Sequence, residues 1–143
     1  MSGVYKLDAH LYRQMLKQCE KEAPAEACGL LGGADDLSGT RIFPLENLDA
    51  CAESYKMDPK AVLSVMKTLD ENDMELNAIY HSHPATPSRP SKVDIAQAYM
   101  QVVYLILSLA GDEPVLKGFY IDEGEVTEVP VEIVEKAGEA DVK

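Results

Sequence analysis

The run VVYLILSLA, residues 102–110, carries no charged side chain and no polar/apolar alternation. It is far too short to span a bilayer, which takes about 20 residues. A continuous apolar run of this length reads as a strand buried inside a sheet. Such a strand needs cover, and the rest of the chain supplies it. LDAHLYRQMLKQCEKEA (7–23) has helical spacing, with Asp8 as N-cap and Leu11, Met15 and Leu16 on one face, and it stops at Pro24. DPKAVLSVMKTLDEND (58–73) is a second helix. Asp58 caps it, Pro59 takes the first helical position, and Val62, Val65, Met66 and Leu69 form its apolar stripe.

Around these lie further strands. EACGLLGG (26–33) and TRIFPLEN (40–47), joined by the turn residues ADDLSG, predict a hairpin. ELNAIYHSH (75–83) predicts another strand, and SKVDIAQAYMQ (91–101) a short third helix. Strands follow at 102–109, 114–121 and 125–131, the last two joined by the hairpin signal DEG. Both crossover and hairpin connections occur, so the expected fold is α/β, one domain with a mixed β-sheet flanked by helices. The segment from Asp122 to Lys143 is strongly acidic. Residues 1–135 are expected to form the domain and 136–143 an acidic, flexible tail.

A chain of 143 residues can bury its own core, so a metal set here would serve chemistry and not act as a staple. The formal net charge of -12 argues against nucleic acid, whose phosphates are bound by Lys and Arg, and against an anionic membrane surface. Cys19, Cys28 and Cys51 are odd in number and contain no CxxC pair. Together with an N-terminus, MSGVYKLDAH, that has no apolar signal region, they predict reduced thiols and a cytoplasmic protein.

The chemistry-bearing stretch is HSHPATPSRPSKVD (81–94). In a strand, residues i and i+2 share a face, so His81 and His83 point the same way at the strand's end. Two parallel imidazoles can bind Zn²⁺, and Asp94, in the first turn of the next helix, can swing back as a third ligand. Three protein ligands leave a tetrahedral position for water, the catalytic pattern. The plainer alternative is a strand end, a turn and a helix cap: Ser91-x-x-Asp94 is close to a capping box, and capping does not exclude chemistry.

The run His81-Ser82-His83-Pro84, then Ser91, then Asp94, resembles the H-x-H-x7-S-x2-D signature of the JAMM (MPN-domain) metalloproteases. PAEACGLLGG (24–33) resembles that family's P-x-E-x-C-G-L-L segment, and the order of elements also matches. The resemblance implies a cytidine-deaminase-like architecture and one Zn²⁺ per chain, held by His81, His83 and Asp94 with water in the fourth position. It implies Glu26 as general base and acid; without the motif Glu26 would be indistinguishable from Glu20 or Glu22. Ser91 would hydrogen-bond the oxyanion. Ser82, pointing to the other face, would pack behind the site. Cys28 reads as a small buried residue, and His10, with no partner ligands, as surface.

The family hydrolyses amide bonds at the C-terminus of ubiquitin-like proteins. Its compact members are associated with sulfur-carrier proteins ending in Gly-Gly, so a carrier of that type is the expected partner. AESYKMDP (52–59) is a candidate edge strand on which such a tail can pair. ATPSRP is stiff enough to shape a cleft wall, with Arg89 as a candidate contact. The alternatives are a non-catalytic MPN scaffold, a DNA-repair protein, which the acidic charge disfavours, and a zinc deaminase, whose P-C-x-x-C ligand pair is missing.

Overall fold

In a computed structural model that describes residues 3–135, the apolar run lies at the centre of the molecule. The elements in chain order are β1 (Tyr5–Asp8), α1 (Ala9–Glu22), β2 (Cys28–Gly33), β3 (Ser38–Gly39), β4 (Arg41–Leu45), α2 (Pro59–Glu71), β5 (Glu75–His83), α3 (Lys92–Gln97), β6 (Val103–Ser108), β7 (Val115–Asp122), β8 (Glu125–Val129) and β9 (Val131–Val134). Every residue of β6 is buried. It sits in a six-stranded sheet of order β4-β2-β5-β6-β7-β8. Only β5 and β6 run parallel; the other neighbours are antiparallel.

The strands' period of two divides the core between the two faces. On one face α1 lays Leu11, Met15 and Cys19 against Ala78, Tyr80, Leu105 and Leu107. These helix positions recur every four residues and so form one stripe. On the other face α2 lays Val65 and Leu69 against Leu30, Ile79, Tyr104 and Ile106. Asp58 caps α2 by accepting from the Lys60 N–H at 3.0 Å. Met66, expected in that stripe, is instead exposed. β7 and β8 join through Glu123 and Gly124, both at positive φ (49° and 85°), the twist a tight hairpin requires.

Three expectations need correction. The first helix starts at Ala9, because Tyr5–Asp8 is β1, pairing in parallel with β3 and β9 in a separate three-stranded sheet. Tyr5 and Leu7 point inward and Lys6 outward, a pattern too short to read without knowing its partners. Asp8 stands at the helix start but makes no side-chain cap bond. Second, the strand expected at 125–131 breaks at Pro130, which has no N–H for the ladder; β8 stays in the large sheet and β9 crosses to the small one. Third, α3 ends at Gln97, short of the expected residue 101. The expected tail, 136–143, lies outside the described residues. Among those described, no helix is long and apolar enough to cross a membrane.

Gly29 faces Tyr80 across the β2–β5 ladder, and a Cβ at Gly29 would overlap the Tyr80 ring. That ring is fully buried, and its hydroxyl donates to Gln18 Oε1 at 2.5 Å, so it has nowhere to move. Gly29→Ala should therefore destabilise the fold by at least the about 1–3 kcal/mol typical of overpacking. Urea denaturation with an unchanged midpoint would contradict this packing.

Candidate metal centre and active site

β5 carries His81 and His83 on one face at its C-terminal end, both buried. The helix following the proline-rich loop brings Asp94 to them. α3 begins with a complete capping box: the Asp94 N–H donates to Ser91 Oγ at 3.0 Å, and the Ser91 N–H donates to Asp94 Oδ2 at 2.9 Å. The cap is therefore real, and it aims the carboxylate at the histidines. Asp94 Oδ2 lies 3.2 Å from His81 Nε2 and 3.0 Å from His83 Nε2, and the two Nε2 atoms are 3.2 Å apart.

These separations fit a metal. Ligand atoms placed tetrahedrally at about 2.0 Å from an ion are about 3.3 Å apart. The His83 Nδ1–H donates to the Pro87 carbonyl at 2.8 Å, so in the neutral ring Nε2 is a bare lone pair. His81 Nε2 and Asp94 Oδ2 converge on the same point, and the three residues form a group able to hold a metal ion. Burial lowers the pKa of His81. Burial also opposes charge on His83, but its bonds to Asp94 and Pro87 outweigh that and raise it. Burial alone would raise the Asp94 pKa; the two imidazoles instead hold it well below the usual carboxylate range. Electron-rich atoms this close in a dry site need a proton or a cation among them.

Glu26 lies two residues before β2. The ladder pairs Cys28 with His81, and its register, carried two residues on, sets Glu26 level with His83. Ser82 extends that register: its Oγ accepts from the Ala27 N–H at 2.8 Å and its own N–H donates to Ala27 O at 3.0 Å. Ser82 thus pins the residue next to Glu26 from the far face. Glu26 is buried and its Oε1 has no hydrogen-bond partner. Burial pushes its carboxyl up to about 8; His83 opposes this, and Asp94 and Glu53 add to it. A buried, unpartnered carboxyl with a raised pKa beside a ligand cluster has the properties of a proton-transfer group.

The loop 84–90 is a fixed wall: Ser88 Oγ donates to Val115 O at 2.6 Å and Ser108 Oγ to Thr86 O at 2.5 Å. Arg89 on it is exposed. The candidate edge strand at 52–59 does not form: residues 52–58 have no regular structure, and Pro59 begins α2. Their backbone folds back on residues 47–49, the Leu48 N–H donating to Lys56 O at 2.8 Å. The segment presents Tyr55, whose ring stacks on His81 at 4.6 Å between centroids. Cys28 is fully buried, and burial pushes its thiol up to about 12, which fits a packing role. His10 is on α1, the helix packed on the opposite face of the sheet.

Three contributors escaped the sequence reading: the Tyr55 ring, the Pro87 carbonyl and the Asn47 side chain described below. A backbone carbonyl has no sequence signature, and the other two are distant from the motif along the chain. Beside Tyr55 a groove of about 940 Å³ opens between α2 and the segment after α3, lined by Met57, Val62, Leu63, Met66 and Tyr99 among others. A smaller cavity of about 390 Å³, which includes Glu75 and Asn77, lies at the opposite end of β5.

A mixed α/β sheet with a strand-borne His-x-His, a helix-cap aspartate and a buried glutamate at one strand end has the parts of a metallohydrolase. The family of prokaryotic homologues of the JAB domain matches residues 8–120, and the chain belongs to it, within the JAMM (MPN-domain) metalloproteases. It is 34% identical over 128 residues to a probable TtuB-protein conjugate cleaving protease of Thermus thermophilus, covering 86% of this chain and 82% of that one. It is 31% identical over 136 residues to the CysO-cysteine peptidase of Mycobacterium tuberculosis, covering 93% of each. The solution structure of a Desulfitobacterium hafniense protein, 38% identical, matches with a TM-score of 0.84 over 92% of this chain and 93% of that chain.

Proposed function

We propose that this chain is a zinc peptidase that hydrolyses the amide bond at the C-terminus of a ubiquitin-like sulfur-carrier protein ending in Gly-Gly. The observation that carries the reading is the convergence of His81, His83 and Asp94, at 3.0–3.2 Å, beside buried Glu26. Two imidazoles and a carboxylate are a donor set suited to zinc, and one ion per chain fills it. Zinc, when bound, acidifies a water molecule and polarises a carbonyl. Glu26 takes the proton from the attacking water and delivers it to the leaving amine. Ser91 uses its oxygen as acceptor in the helix cap, which leaves its O–H free to donate to the oxyanion. Tyr55 shields His81 from water, and the apolar groove beside it provides a path for the carrier. The two curated relatives, named for cleaving a protein conjugate and a cysteine adduct, favour a carrier substrate.

The test is direct. Purified protein loaded with zinc is incubated with ubiquitin-like carriers extended beyond Gly-Gly by cysteine or by a lysine-linked protein, and products are weighed by mass spectrometry. Release of a carrier ending in Gly-Gly, abolished by a chelator and restored by zinc, is the expected result. Full zinc occupancy with no cleavage of either substrate would replace this reading with a non-catalytic scaffold. In the same assay Ser91→Ala should retain zinc and lose about 10²–10³ in kcat, the usual loss for one oxyanion donor. Its stability should fall by about 1 kcal/mol through loss of the cap. An unchanged kcat would remove Ser91 from the chemistry.

A further inference from the structure

The segment 46–58 between β4 and α2 has no regular structure, yet its backbone is not left to water. Asn47, buried, uses every hydrogen-bonding position of its amide. Nδ2 donates to Glu26 O at 2.9 Å and to Ser54 O at 3.0 Å. Oδ1 accepts from the Asp49 N–H and the Lys56 N–H, both at 3.0 Å. Two carbonyls on one side and two N–H groups on the other permit a single orientation of the amide. The Glu26 backbone depends on this segment at both ends, because its N–H donates to Cys51 O at 2.7 Å while its carbonyl accepts from Asn47. The same segment carries Tyr55 over His81.

From this arrangement we infer that Asn47 is a positioning residue for the reaction: it locks the Glu26 backbone and the Tyr55 segment into one rigid unit and thereby sets where the Glu26 carboxyl lies relative to the metal ligands. The inference rests on the reading of Glu26 as general base. A misplacement of a reacting group by about 1 Å costs about 10²-fold in rate. Glu26 lies beyond the end of β2 and is held on this side by the loop, so loss of Asn47 leaves the Glu26 carbonyl without its partner and loosens the loop whose Cys51 carbonyl holds the Glu26 N–H.

Asn47→Asp isolates the donor side. It keeps both bonds at Oδ1 and sets an acceptor oxygen against the Glu26 and Ser54 carbonyls. The variant should fold, bind one zinc per chain by elemental analysis, show faster amide hydrogen exchange at Glu26, and lose about 10²-fold in kcat with little change in KM. Ser54→Ala removes only the exposed bond from Ser54 Oγ to Asp49 and keeps all four Asn47 bonds, so it should retain wild-type kcat. Wild-type kcat in Asn47→Asp overturns the inference, as does loss of kcat in Ser54→Ala equal to that in Asn47→Asp, which would mean that any change to the loop suffices. Loss of zinc from Asn47→Asp also overturns it, because the residue would then serve the ligands. If Asn47→Asp does not fold, side-chain amide exchange by NMR in the unmutated protein decides: both Asn47 protons should be protected, and exchange at the rate of a free amide overturns the inference. Glu26→Gln is assayed alongside. Full activity there overturns the base assignment and this inference together, whereas an inactive Glu26→Gln beside a fully active Asn47→Asp overturns this inference alone.

Discussion

Glu26→Gln should keep one zinc per chain and lose hydrolysis by at least the about 10²–10⁴-fold that a general acid–base group contributes. The substitution is nearly isosteric and touches none of His81, His83 or Asp94. Both backbone bonds of Glu26, to Cys51 O and from Asn47 Nδ2, survive it. What disappears is a group able to accept a proton from water and pass it to the leaving amine. Folding should not suffer, because a neutral amide replaces a carboxyl that burial already disfavours in its charged form. Elemental analysis, thermal unfolding and the cleavage assay, run on the same preparation, separate these outcomes. Full activity with zinc bound would sink the assignment of Glu26. The inactive, zinc-loaded variant is also the best bait for the natural substrate. A protein retained from lysate that ends in Gly-Gly, or extends beyond it, would name the partner.

His81→Ala should give the complementary phenotype: a folded protein with no stoichiometric zinc and no activity. It removes one of two nitrogen donors from a three-residue set, and the water-filled cavity left behind cannot replace an imidazole fixed on a strand. Disturbing a residue that merely supports a ligand typically weakens metal binding 10–100-fold, and loss of a ligand should exceed that. Tyr55 also loses the ring on which it stacks. The apo fold should survive, because His81 lies near the C-terminal end of β5 and the strand keeps its backbone ladders to β2 and β6. Normal zinc stoichiometry in His81→Ala would contradict the ligand set, and loss of fold measured by circular dichroism would show that the histidine is structural. Glu26→Gln and His81→Ala together distinguish a metal site with a base from a metal site alone.

Much of this was legible in the sequence where the physics is local. β5 has the expected bounds, Glu75–His83, because its apolar residues are bracketed by turn residues and Pro84. The Ser91–Asp94 cap forms as expected, since the partners lie within one helical turn. α2 starts where Asp58 and Pro59 place it. Expectations failed where the partner is far away in sequence. Tyr5–Asp8 and Val131–Val134 become strands only because they find each other in parallel register across nearly the whole chain. The candidate edge strand at 52–59 does not form; Asn47 and Leu48 instead take up the Ser54 carbonyl and both backbone groups of Lys56.

The sequence by itself determined the α/β class, the shared face of His81 and His83, and the turn that carries Asp94. These follow from periods of two and 3.6 residues and from hydrogen bonds between near neighbours. Its motif spacing marked Glu26 by resemblance and no more. Only the tertiary structure brought Glu26 level with His83, through the antiparallel register of β2 on β5. Only it chose the Pro87 carbonyl to fix the His83 tautomer, Tyr55 to cover His81, and Asn47 to tie the loop to Glu26. The reason is the same in each case: strand register and backbone carbonyls are set by the packing of the whole chain, and no single side chain announces them.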